Sequence, residues 1–116
     1  MKVFDSELKL MDIIWDLEPI SAKEISVIAA REIGWNKNTT YTVLKKLIER
    51  GYVARTEPGF ICASKTSKGE IQKSEVKGLA EKLFAGSKKA LFSALLEDET
   101  LSDDEISELR ALIDRR

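Results

Sequence analysis

The stretch Trp35-Asn-Lys-Asn-Thr-Thr-Tyr-Thr-Val-Leu-Lys-Lys-Leu-Ile-Glu-Arg-Gly51 constrains this chain more than any other. At helical spacing Thr40, Val43, Leu44, Leu47 and Ile48 fall on one side, an apolar stripe able to sit on a core. The opposite side carries Asn38, Thr39, Thr42, Lys45 and Lys46, with Tyr41 at its edge. Asn36 is a good N-cap, and Gly51 is the residue type that ends a helix in a left-handed conformation. Such an outward face suits DNA, because amides and hydroxyls read base edges while lysines meet phosphates. By itself the pattern also fits an ordinary amphipathic helix with a solvated polar face. Its neighbours decide.

A first helix is expected from Asp5 to Leu17, with Leu8, Met11, Ile14 and Trp15 inward, Asp5 or Ser6 as cap, and Pro19 as its stop. Ile20 reads as a short extended piece. Ser21-Ala-Lys-Glu24 is a capping box that starts a second helix, with Ala22, Ile25, Ile28, Ala29 and Ile33 inward, and Gly34 breaks it. Two helices joined by so short a turn, the second polar and basic outside, match a helix-turn-helix. Beyond Gly51, Tyr52–Glu57 and Phe60–Ser64 read as two strands around the turn Pro58-Gly59. Three helices followed by a β-hairpin predict a winged helix. Arg55 and Lys65 are then placed either to meet phosphates beside the groove or to remain solvated surface charges. Cys62, inside a strand, reads as a small packing residue rather than a sensor thiol.

Charge distribution points the same way. The net charge is only −1. Residues 35–68, however, hold seven Lys/Arg against two Asp/Glu, a net of +5, and residues 93–116 hold three against eight, a net of −5. The basic window centred on the third helix is an electrostatic footprint for phosphate, and the acidic tail belongs away from it. There is no histidine and one cysteine, which removes the usual residues of zinc sites, histidine triads and disulfide frameworks. The acids sit mainly on helix starts and outer faces, so no enzyme, metal or cofactor is expected. No apolar run approaches the roughly 20 residues of a membrane helix, and the N-terminus lacks a signal-peptide core. A cytoplasmic protein without a membrane partner is the expectation.

The last third reads as helical. Ser67-Lys-Gly-Glu70 and Ser102-Asp-Asp-Glu105 are capping boxes, with Gly86 and Ser87 dividing the helices between them. Their apolar positions are Ile71, Val76, Leu79, Leu83 and Phe84, then Leu91, Phe92, Leu95 and Leu96, then Ile106, Leu109, Leu112 and Ile113. A winged domain covers its own core, and three short helices are marginal alone, so pairing with a second copy is expected. The expected fold class is mainly α with a small β-hairpin. Residues 1–66 form a winged helix-turn-helix DNA-binding domain and 67–116 a helical dimerisation arm. The interface is assigned to Leu79, Leu83, Phe84, Leu91, Phe92, Leu95, Leu96, Leu109, Leu112 and Ile113. The DNA side is assigned to Lys37, Asn38, Thr39, Tyr41, Thr42, Lys45, Lys46, Arg55 and Lys65.

These residues resemble the penicillinase-repressor family of bacterial winged-helix regulators over nearly the whole chain. Asp5-Ser-Glu-Leu-Lys-Leu-Met-Asp-Ile-Ile-Trp15 is similar to the family's acidic start. Trp35-x-x-x-Thr39-x-x-Thr42-x-Leu44-x-x-Leu47-x-x-x-Gly51 is similar to its recognition helix, and Leu101-Ser-x-x-Glu105-Ile-x-x-Leu109 to its last helix. The resemblance implies a homodimeric repressor on an inverted-repeat operator in double-stranded DNA. It also implies recognition through Lys37, Asn38, Thr39, Thr42 and Lys45. Induction departs from the pattern. Ala94-Leu95 stands where the β-lactam branch is cleaved at Asn-Phe, and the Cys-x-Cys pairs of the copper branch are absent. The inducer and any upstream sensor or protease are therefore unassigned. Two other readings remain from the residues: a winged-helix protein-interaction module without specific DNA binding, and a ligand-responsive regulator.

Overall fold

The structure is a computed structural model and describes residues 2–97 and 100–116. In chain order the elements are α1 (Asp5–Leu17), β1 (Ile20–Ser21), α2 (Ala22–Glu32), α3 (Lys37–Glu49), β2 (Val53–Thr56), β3 (Ile61–Ser64), α4 (Lys68–Phe84), α5 (Lys88–Leu96) and α6 (Asp103–Asp114). The fold is mostly helical with one small antiparallel sheet, as expected. It forms two compact units, one ending at Glu75 and the other spanning Val76–Arg116.

In the first unit α1, α2 and α3 enclose the core with the sheet. Leu10, Met11, Ile14, Ile25, Leu44, Leu47 and Cys62 are fully buried. Burying a Leu or Ile contributes roughly 1.5–3 kcal/mol relative to leaving it exposed, so this cluster holds α3 against the rest of the core. The end of α3 closes in a Schellman pattern, with Tyr52 N–H donating to Leu47 O and Gly51 N–H to Ile48 O. Gly51 takes φ +82°, which a residue with a Cβ resists.

Several expectations change in detail. Neither Asp5 nor Ser6 caps α1; Phe4 holds that position, because the Glu7 carboxylate reaches back to accept from Phe4 N–H at 3.0 Å. The wing strands are shorter than expected: Tyr52 is taken by the end of α3, and Phe60, at φ 50°, belongs to the turn. The hairpin also gains a third strand. β1 pairs with β3, Ile20 opposite Cys62, giving the order β1-β3-β2. Ile71, assigned with the C-terminal helices, is only 3 % exposed and joins the winged core. Packing therefore keeps α4 up to Glu75 with the first unit, where the sequence division was drawn at the Ser67 cap.

The end of β3 and the turn leading into α4 are tied to α1. Glu18 accepts from Ser64 N–H at 2.8 Å, and Trp15 Nε1 donates to Thr66 O at 2.9 Å. In the second unit, Ser87 and Ser102 cap α5 and α6, and the Ser102–Glu105 box is complete.

Candidate nucleic-acid interface

The outward side of α3 is set by its cap. Asn36 Oδ1 accepts from Thr39 N–H at 2.8 Å, which fixes the helical phase of the first turn. With Thr40, Val43, Leu44 and Leu47 buried, Lys37, Asn38, Thr39, Thr42, Lys45 and Lys46 are all exposed. Thr40 and Thr42 face opposite ways. Thr40 is buried with its hydroxyl donating to Asn36 O, while Thr42 Oγ1 donates to Asn38 O at 2.8 Å on the outer surface. That bond fixes the Thr42 rotamer and leaves outward its acceptor lone pairs and γ-methyl. Lys45 and Lys46 form no ion pair among the described residues.

Tyr41 is half-buried and joins α3 to the wing. Its ring meets Phe60 edge-on, centroids 6.0 Å apart at 78°, and Lys37 Nζ lies 5.8 Å from the Tyr41 ring. The Arg55 guanidinium in turn lies over the Phe60 ring, 3.5 Å from its centroid. Lys37, Tyr41, Phe60 and Arg55 thus run in one series from helix to wing. Arg55 Nε also donates to Glu57 Oε2 at 2.6 Å. That hydrogen bond holds the Glu57 carboxyl below the usual carboxylate range, with the Phe60 N–H assisting. Glu57 therefore offsets part of the Arg55 charge while engaging only its Nε. Lys65 lies at the opposite end of the hairpin, where its N–H pairs with Tyr52 O. The structure does not bring Arg55 and Lys65 together.

Two cations of the basic window, Arg50 and Lys68, were not singled out by their sequence context. Arg50, directly after α3, bonds and pairs through Nη1 with Glu7 Oε1 of α1, and donates through Nη2 to Lys2 O. Its guanidinium lies 5.4 Å from the Phe4 ring and 5.0 Å from that of Tyr52. Glu7 is 2 % exposed, and its hydrogen bond raises the Arg50 pKa above the ordinary arginine value. The partners are 43 positions apart, so no local pattern joins them. The cue available was an acid in the first turn of α1 preceding a leucine stripe, which reads equally as a capping carboxylate.

Of the residues assigned to pairing, Leu79, Leu83, Leu95, Leu96, Leu112 and Ile113 are exposed, and Phe84, Leu91, Phe92 and Leu109 are partly so. Neither α5 nor α6 buries any residue. Ala94 and Leu95 lie within α5. Among the described residues no helix is long and apolar enough to cross a membrane.

Comparison with known proteins identifies the family and the fold. A family model described as penicillinase repressor matches residues 4–115. The methicillin resistance regulatory protein MecI of Staphylococcus aureus (strain N315) is 26% identical over 117 residues, covering 99% of this chain and 95% of the relative. The penicillinase repressor of Bacillus licheniformis is 25% identical over 115 residues, covering 97% and 90%. The solution structure of the Bacillus licheniformis BlaI monomeric form with the blaP half-operator matches with a TM-score of 0.54 at 24% identity, covering 60% of this chain and 88% of that one. A winged fold, a polar and basic face on its third helix, and a match across almost the whole length lead to one conclusion: the chain belongs to the penicillinase-repressor family, whose members are transcriptional repressors and not enzymes.

Proposed function

We propose that this protein is a homodimeric repressor that reads an inverted-repeat operator, one α3 in the major groove of each half-site. The observation that carries this reading is the outer face of α3, where Asn38, Thr39 and Thr42 sit beside the ammonium groups of Lys45 and Lys46 on a helix whose other side is locked in the core. Exposed amides and hydroxyls on a rigid helix discriminate bases, and the two lysines supply phosphate attraction. Lys37 and Tyr41 border this face, and Arg55 and Lys65, at opposite ends of the hairpin, are assigned to phosphate contacts. A relative solved as a monomer on a half-operator supports one winged domain per half-site. The apolar faces of α4, α5 and α6 are assigned to pairing.

Selection of bound duplexes from a randomised pool, at a stated moderate salt, tests this. The expected product is a two-fold symmetric site with half-sites one helical turn apart or a multiple of it. Failure to enrich any sequence, with only weak salt-sensitive retention, would replace the proposal with the protein-interaction module.

A further inference from the structure

Arg50 belongs to the basic window and sits at the end of the proposed recognition helix, which makes a phosphate contact its obvious assignment. The geometry points to a different role: we infer that Arg50 and Glu7 form a clamp that sets the seat of α3 on α1, and so positions the base-reading face without touching DNA. The inference rests on α3 being the DNA-reading helix.

Four observations carry it. The Glu7 carboxylate is buried, so its charge requires a partner at that place, and Arg50 is the cation that supplies it. The same guanidinium also donates to Lys2 O, strapping the chain segment before α1 across the end of α3. It lies 5.4 Å from the Phe4 ring and 5.0 Å from that of Tyr52, one before α1 and one after α3, within cation–π range of both. Glu7 Oε1 in turn accepts from Phe4 N–H, so a single carboxylate oxygen joins the start of α1 to the end of α3. A guanidinium engaged by a buried acid, a carbonyl and two rings leaves only its remaining N–H groups to solvent, with the side chain 33% exposed. Lys45 and Lys46 carry no such engagement among the described ion pairs.

The two roles predict opposite results for Glu7→Gln. This change removes the buried charge rather than stranding it, and the amide oxygen still accepts from Phe4. If Arg50 were a phosphate contact restrained by Glu7, freeing it would strengthen non-specific DNA binding and steepen its salt dependence. As a clamp, E7Q lowers operator affinity about tenfold, the scale of one misplaced base contact, with non-specific affinity and salt slope unchanged. Arg50→Lys sharpens the distinction. A lysine keeps the positive charge that a phosphate meets, but it lacks the fork and plane that this site uses. R50K is therefore expected to lose operator affinity as E7Q does, again at constant salt slope.

The measurements are operator and random-duplex titrations over a salt series on the full chain, with circular dichroism establishing that each variant is folded at the temperature used. Unchanged operator affinity in folded E7Q, a gain in its non-specific affinity, or wild-type behaviour of R50K would each overturn the clamp. Absence of any sequence preference in the wild-type protein would instead refute the function on which the clamp rests.

Discussion

Thr42 shows how one hydrogen bond narrows what a residue can read. Its hydroxyl proton is directed to Asn38 O, so an acceptor and a methyl group face outward. Such a side chain accepts from an adenine or cytosine amino group, or packs on a thymine methyl. Thr42→Ala is expected to reduce operator discrimination by about 1–3 kcal/mol with non-specific affinity retained. Lys45→Ala is expected to weaken all duplexes alike and to lower the salt slope by about one. Equal specific and random affinities for both variants and the wild type would show that α3 is turned the other way. Glu57 offers a pH test. Arg55 lowers its folded pKa below the unfolded value, so the pair contributes stability at neutral pH that is lost as pH falls through the folded value. Glu57→Gln should flatten that acid limb and leave Arg55 free, steepening the salt dependence of DNA binding; an unaltered slope would remove Arg55 from the phosphate contacts.

At the scale of the element, α3 was legible because its signals are local. Asn36, the Thr40–Leu47 stripe and Gly51 all act within one turn or on one face, and the helix runs where they place it. The Gly51 substitution tests this directly. Nothing lies within 4 Å of an added Cβ, so Gly51→Ala meets backbone strain alone and should cost roughly 1–2 kcal/mol, read as a lower midpoint in urea. A loss well beyond that would mean the Schellman end carries more than its backbone geometry. The wing was less legible. Phe60 reads as a strand residue by type, yet its left-handed φ and contacts with Tyr41 and Arg55 make it the hinge of the turn. β1 is two residues long, and its pairing with β3 brings together parts of the chain that share no local pattern.

For the whole molecule, the proposed pairing rests on the apolar side chains of the second unit. Leu83 is 62% exposed and Leu95 55%, each on a helix that buries little of its own apolar face. Leu83→Glu is expected to shift the protein to monomer by sedimentation, and the wild-type melting temperature should rise with concentration, as mass action requires. Operator affinity should fall steeply while binding to an isolated half-site persists, because a linked pair binds the second site at high effective concentration. A monomeric wild type with a concentration-independent midpoint would overturn this assignment. Sequence alone determined the helices, the caps at Ser21, Asn36, Ser67 and Ser102, the inward and outward faces of α3 and the excess of apolar stripe in the last third. These depend on spacing and side-chain type over a few residues. Only the tertiary structure decided that Ile71 closes the winged core, that β1 completes the sheet, and that Arg50 is held by Glu7. Each of those depends on which distant segments meet, and the burial and charge pairing that favour the meeting exist only once the chain has folded.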